Sequence, residues 1–321
     1  MNKKELGAFY TTEVDEILKG FEHYVKDKKV TDLYCGDRHL LDWADKHGAR
    51  STFGYDISKE AKADIVKDTI MNPPKSSNFT LINPPYLLSN KTDNKEPFIK
   101  WQTTDLYKAA LLSLIDMKVS EGIIIVPANI FVDSDNKFRE KFYSNFEISN
   151  VVLFDKAVFD DTPVRVTCFY FKRGKTTNLL GHTLYNTKVG YDWLKTLEPV
   201  KANVRRLLIG ETPNSELTIR TTDTGTEGGK IKLYLDAEHF YGKQTDRNKA
   251  TIVLDKELSL DAQKKIVFIF NDFLNTNRHK YNSMFLTNFL AGKDGVERKR
   301  IQFRDVYKLI TKIIKEENLW K

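Results

Sequence analysis

The chain has 321 residues, with 51 Lys and Arg against 44 Asp and Glu, a formal net charge of +7; that length allows one large domain or two of ordinary size. It contains no run of about 18 apolar residues, so a helical membrane span is not expected, and the start Met1-Asn2-Lys3-Lys4-Glu5 lacks the apolar core of a signal peptide. Cys35 and Cys168 are the only cysteines and the six histidines show no ligand spacing, so neither a disulfide framework nor a metal site is expected. The setting these features imply is reducing and intracellular, cytoplasmic or nucleoid-associated, and not secreted.

The charge is unevenly placed. Residues 1–175 hold 26 basic and 26 acidic side chains, whereas residues 176–321 hold 25 and 18. The whole excess is in the second part, which suggests a polyanion partner, nucleic acid first. The polar, turn-rich Lys172-Arg173-Gly174-Lys175-Thr176-Thr177-Asn178 marks a boundary there.

In chain order, Gly7-Ala8-Phe9-Tyr10-Thr11-Thr12 precedes a helical pattern of Val14, Ile17, Leu18 and Phe21. Val30 to Asp37 then reads as a strand and a tight turn, followed by a helix with Leu40, Leu41 and Trp43. Gly36 in that turn lets a ligand approach the backbone closely. Ser51 to Ser58 is a second strand ending in Asp56, 24 residues after Asp32. A carboxylate at such a strand end can accept both hydroxyl protons of a ribose. Asp64 to Thr69 reads as a third, shorter strand with Asp68 at its end.

The fourth strand runs into Leu81-Ile82-Asn83-Pro84-Pro85-Tyr86. Neither proline can donate to a ladder, so the strand stops, and each proline keeps the residue before it extended. The Asn83 amide oxygen and the Pro84 carbonyl are two acceptors, suited to a planar amino group with two N–H donors. The Tyr86 ring suits a flat heterocycle. Leu87 to Thr104 reads as a polar, irregular loop and Asp105 to Val119 as a helix. Further strands are expected at Glu121 to Pro127, Ile148 to Phe154 and Val164 to Phe171, with Ala157 to Pro163 between the last two.

Asn-Pro-Pro-Tyr after an apolar strand resembles the catalytic motif of amino-group methyltransferases that use S-adenosylmethionine. Gly-x-Phe-Tyr-Thr resembles their N-terminal cofactor motif, with Thr12 where Pro is usual. Asp32, Cys35 and Gly36 match the cofactor loop Asp-x-x-Cys-Gly-x-Gly, although Arg38 stands where a second Gly is common. Residues 1–175 are thus similar to the catalytic domain of gamma-group N6-adenine DNA methyltransferases. The fold class implied is α/β, a Rossmann-like methyltransferase sheet, with a C-terminal α+β target-recognition domain over residues 176–321.

The resemblance implies cofactor contacts at Tyr10, Thr11, Asp32, Cys35, Gly36, Asp56, Ile57 and Asp68. It places Asn83, Pro84, Pro85 and Tyr86 at the catalytic corner and Phe159 against a flipped base. S-adenosylmethionine is the implied cofactor, with no metal, and double-stranded DNA the implied partner. A cognate restriction endonuclease would act in the same system without a stable complex. An aromatic that relatives often carry near Ala110 is absent.

The second part is less periodic until a buried helix at Asp261 to Leu274 and an amphipathic one at Asp305 to Glu316. Basic and aromatic residues alternate around His279, Lys280, Tyr281, Phe303 and the run Arg298, Lys299, Arg300 and Arg304. Lys280, Arg298, Lys299, Arg300 and Arg304 are therefore the DNA-contact candidates. Other readings stay open: an RNA methyltransferase, a release-factor glutamine methyltransferase, or a non-catalytic DNA-binding subunit of the same fold.

Overall fold

The computed structural model describes residues 13–75, 79–131, 136–154, 166–179, 182–186, 190–191, 204–223, 230–235, 248–277, 287–290 and 297–320. The chain forms two compact units, Met1–Asp192 and Trp193–Lys321.

The first unit opens with two short helices, α1 (Val14–Ile17) and α2 (Glu22–Val25). The single helix suggested by the apolar pattern is interrupted at Gly20, whose φ is +91°, a value that glycine adopts at little cost. Then come β1 (Lys29–Asp32), α3 (His39–Lys46), β2 (Ser51–Asp56), β3 (Ile65–Val66) and β4 (Phe79–Ile82). They are followed by α4 (Glu96–Trp101), α5 (Leu106–Asp116), β5 (Glu121–Pro127), α6 (Asn136–Asn145), β6 (Phe146–Leu153) and β7 (Val166–Arg173). The expected irregular stretch after Tyr86 thus contains a helix. Its Pro97 lies in the first turn, where a missing N–H costs nothing.

These strands make one seven-stranded sheet in the order β3-β2-β1-β4-β5-β7-β6. β1 to β5 are parallel neighbours and β7 runs antiparallel between β5 and β6. Strands buried on both faces read as apolar runs, and β4 and β5 do so: all of Phe79–Ile82 is buried, as is Gly122–Pro127. Ile17, Leu18, Phe21, Leu40, Leu41 and Trp43 pack with Val30, Phe79, Leu81, Ile123 and Ile125 in one core cluster. Because the first five strands are parallel, the C-terminal ends of β1, β2, β3 and β4 share one edge of the sheet. That edge carries Asp32, Asp56, Asp68 and Asn83.

Short strands β8 (Asn178–Leu179), β9 (His182–Asn186) and β10 (Gly190–Tyr191) form a small antiparallel sheet within the first unit. The second unit has β11 (Arg205–Arg206), β12 (Leu217–Arg220), β13 (Lys232–Leu235) and β14 (Lys249–Val253). They form an antiparallel sheet ordered β11-β14-β12-β13. After it come α7 (Leu260–Asn277), the hairpin of β15 (Thr287–Leu290) and β16 (Glu297–Arg300), and α8 (Phe303–Glu316). The Asn271 side chain of α7 closes both free backbone groups of Leu233, at 2.9 Å each. On α8, Val306, Leu309, Ile310, Ile313 and Ile314 are buried, so the stripe seen in the sequence is the face that packs.

Candidate active site

β1 ends at Asp32, which is 1% exposed. Its Oδ1 accepts from the Tyr34 N–H at 2.9 Å. Burial pushes its carboxyl up to about 8, with the neighbouring Asp56 adding to the shift and the Tyr34 N–H opposing it. Near neutral pH it is therefore mostly protonated, and a positive charge brought beside it would favour its ionised form.

The turn after β1 is fixed by its backbone. The Cys35 N–H donates to the Tyr55 carbonyl at 2.9 Å, and the Lys62 N–H donates to the Gly36 carbonyl at 2.8 Å. Gly36 has φ +49° and its N–H donates to Asp56 Oδ2 at 2.9 Å. Asp56 Oδ1 accepts from the Ser58 N–H at 2.8 Å. The Asp56 carboxylate is therefore held in one plane at the end of β2, with an acceptor direction left on each oxygen. Burial pushes the Cys35 thiol up to about 12, so it stays protonated and packs as a small apolar group.

Asp68 lies just past β3. Its Oδ1 accepts from the N–H groups of Ile70 and Met71, at 3.1 and 2.9 Å. The adjacent Thr69 hydroxyl donates to the Leu33 carbonyl at 3.0 Å, which ties this turn to the end of β1. Ile57, next to Asp56, is 50% exposed and presents an apolar side chain beside the carboxylates.

At the end of β4 Pro84 is buried and Asn83, Pro85 and Tyr86 are half-buried. The Tyr86 hydroxyl lies 2.5 Å from Asn83 Oδ1 and 3.1 Å from the Ile125 carbonyl oxygen. Its ring meets Tyr107 edge-on, with centroids 6.3 Å apart, and packs against the main core cluster. Burial raises the Tyr86 phenol well above its ordinary range, so it is a neutral donor. The ring expected as an open platform is thus partly engaged with β5 and α5.

Two features of this edge were not read from the sequence as functional. Arg38 has φ +71°, a left-handed conformation that glycine adopts at less cost than arginine. Its guanidinium donates to Asp64 Oδ2 at 2.8 Å. Gly54 is the second: a Cβ there would lie 2.8 Å from Cys35 Sγ and 3.1 Å from Leu41 Cδ1. A glycine in mid-strand was the available signal for such a close approach.

Tyr10, Thr11, Phe159 and Lys280 lie outside the described residues. Arg298, Lys299 and Arg300 all fall on β16, where Lys299 is half-buried and Arg300 exposed. Successive strand residues face opposite sides, so Lys299 and Arg300 do not share a face. Arg304, exposed in the first turn of α8, has its Nε 3.6 Å from Asp305 Oδ1. Among the described residues no cluster of His, Cys, Asp or Glu could hold a metal ion, and no helix is long and apolar enough to cross a membrane.

The candidate site lies at the carboxyl edge of the parallel strands β1 to β4, the edge where open α/β folds bind ligands. No protein-family model and no curated protein matches the sequence. Among solved structures, the chain is similar to a modification subunit of a candidate type I restriction enzyme from Vibrio vulnificus. That match has 17% identity and a TM-score of 0.41, covering 72% of this chain and 59% of that one. A candidate RNA methyltransferase from Pyrococcus horikoshii matches at 17% identity and a TM-score of 0.40, covering 54% of this chain and 91% of that one. A ribosomal protein L11 methylase from Lactobacillus delbrueckii matches at 14% identity and a TM-score of 0.35, covering 52% and 81%.

Proposed function

We propose that this chain is a site-specific DNA methyltransferase that transfers a methyl group from S-adenosylmethionine to N6 of an adenine flipped out of duplex DNA. The observation that carries the reading is the Asn-Pro-Pro-Tyr corner at the C-terminal end of β4, on the same edge as Asp32, Asp56 and Asp68. S-adenosylmethionine supplies an activated methyl on a sulfonium. The residues present fit it: Asp56 offers acceptors for ribose hydroxyls, Asp68 an acceptor for an adenine amino group, and Ile57 an apolar contact for its ring. Gly36 allows close approach, and the cofactor's positive charge would favour the ionised form of the buried Asp32.

An adenine amino nitrogen is a weak nucleophile because its lone pair is delocalised into the ring. Hydrogen bonds from its two N–H groups to the Asn83 amide oxygen and the Pro84 carbonyl draw it toward tetrahedral geometry and localise that pair. That pair would then be free to take the methyl group that bound S-adenosylmethionine would supply, its sulfur keeping the electron pair of the broken carbon–sulfur bond and one proton passing to solvent. Holding the two reactants in line contributes much of the acceleration. The base must leave the duplex to reach this corner, and aromatic contact offsets its lost stacking. Residues 176–321, which carry the whole basic excess, are the recognition part, and their DNA affinity is expected to fall steeply with salt.

The test is a map of modified adenines in DNA from cells expressing the chain or its Asn83→Ala variant. N6-methyladenine at one recurring sequence, absent with the variant, supports the reading. Unmodified DNA from cells that accumulate folded wild-type protein contradicts it.

A further inference from the structure

The loop that joins β1 to α3 carries an arginine in a left-handed conformation, Arg38, with φ +71° and ψ 11°. A side chain there has a steric cost that glycine would not have. What Arg38 does in return is visible in its contacts. One guanidinium nitrogen donates to Asp64 Oδ2 at 2.8 Å and lies 3.5 Å from the Lys62 carbonyl oxygen; the other lies 3.4 Å from Thr52 Oγ1. Asp64 Oδ2 also accepts from the Gly54 N–H at 2.6 Å, while the Asp64 N–H donates to the Gly54 carbonyl at 2.9 Å. The Gly54 N–H first, and the Arg38 guanidinium with it, hold the Asp64 carboxyl below its ordinary range.

The direction of this side chain matters. Thr52 precedes Asp56 by four residues on β2, so it sits about 13 Å back from the ligand edge at ~3.3 Å per residue. Arg38 therefore reaches away from the cofactor site and along the strand. It fastens its loop to β2 and to the β2–β3 connection at once. The same loop presents the Gly36 N–H to Asp56 Oδ2, and the Lys62 N–H bonds back to the Gly36 carbonyl.

We propose that Arg38 is a positioning residue for cofactor binding: through Asp64 it holds the Gly36–Asp56 contact in register, so that the Asp56 carboxylate is oriented before the ligand arrives. This rests on the reading of the edge as an S-adenosylmethionine site. The arginine does not touch the cofactor. Its guanidinium replaces, by fastening the loop from below, the close packing that a second glycine would permit.

The experiment measures S-adenosylmethionine affinity by calorimetry for the full chain and for Arg38→Gly, Asp64→Asn and the double variant, with melting temperature and amide exchange at Gly36 and Gly54 alongside. Arg38→Gly removes the backbone cost with the ion pair, so it is the variant best able to stay folded. Both single variants are expected to bind about tenfold more weakly. The double variant should be no weaker than the weaker single, and Gly36 should exchange faster. Affinities within twofold of wild type for both folded singles, or effects that multiply in the double, would overturn the proposal. If wild type bound no S-adenosylmethionine, the reading of the site would fail instead. The exchange rates would still judge the latch: unchanged protection at Gly36 and Gly54 in Arg38→Gly would refute it. Asp64→Asn, which keeps the arginine and the side-chain shape, carries the same comparison if Arg38→Gly does not fold.

Discussion

The Tyr86 hydroxyl and the Asn83 amide oxygen are 2.5 Å apart, and the same hydroxyl is 3.1 Å from the Ile125 carbonyl oxygen. A phenol has one proton, so it donates to one of these acceptors at a time. Donation to Asn83 fixes which end of the amide is oxygen. The amide is thereby oriented by Tyr86, whose ring meets Tyr107 and packs against the core, as well as by the two prolines that follow it.

Tyr86→Phe keeps the ring and removes this hydrogen bond. The expected effect is a loss of roughly 1–3 kcal/mol of transition-state stabilisation, read as a lower kcat with the cofactor KM unchanged. Wild-type kcat in the purified variant would show that the hydroxyl does not orient the amide.

Asp56 is the acceptor assigned to the ribose, and it also takes the Gly36 N–H. Asp56→Ala removes both roles. S-adenosylmethionine binding should weaken by roughly 1.5–3 kcal/mol, about ten- to a hundredfold. Calorimetry on folded variant protein decides this, and unchanged affinity would remove Asp56 from the site.

These two positions also show what the sequence made legible. Asp56 and Asn83 could be read because each is a polar residue at the end of an apolar strand, and parallel strands bring such ends to one edge. The inward engagement of Tyr86 could not be read, because its partner Ile125 is 39 residues away and offers only a backbone carbonyl. Arg38 looked like a departure from a glycine pattern. Sequence does not display the sign of φ, so a left-handed arginine compensated by Asp64 was invisible. The helix Glu96–Trp101 was hidden by Asn94 and Pro97, residues that punctuate loops as readily as they open a first helical turn. In the second unit the strands are short and mixed in pattern, and the helical stripe of α8 was the feature with a clear period.

Asp32 makes stability depend on pH. Its carboxyl is pushed from 3.8 to about 8 in the folded state, chiefly by burial. Between those values the folded protein keeps a proton that the unfolded chain has lost, so stability falls as pH rises through that window. The slope from one such group is about 1.4 kcal/mol per pH unit where only the folded form is protonated. Asp32→Asn removes the titration while keeping the shape. Urea unfolding between pH 5 and 8 should show a flatter dependence for the variant; parallel curves would contradict the assignment.

Gly54 leaves no room for a methyl group, since its Cβ would lie 3.0 Å from Cys35 Cβ as well as 2.8 Å from Cys35 Sγ. Cys35 belongs to the loop that carries Gly36. Gly54→Ala should destabilise the protein by about 1–3 kcal/mol, as overpacking does, and weaken cofactor binding in what remains folded. Denaturant midpoints compare the two proteins, and an unchanged midpoint would mean the loop yields freely.

The most direct test of the central claim is transfer of labelled methyl groups from S-adenosylmethionine, run in parallel on duplex DNA, RNA and protein with wild type and Asn83→Ala. The account predicts label on adenine N6 in duplex DNA with wild type, nearly none with the variant, and S-adenosylmethionine still bound by both. Label on RNA or on a glutamine side chain instead, or equal transfer by the variant, would contradict it.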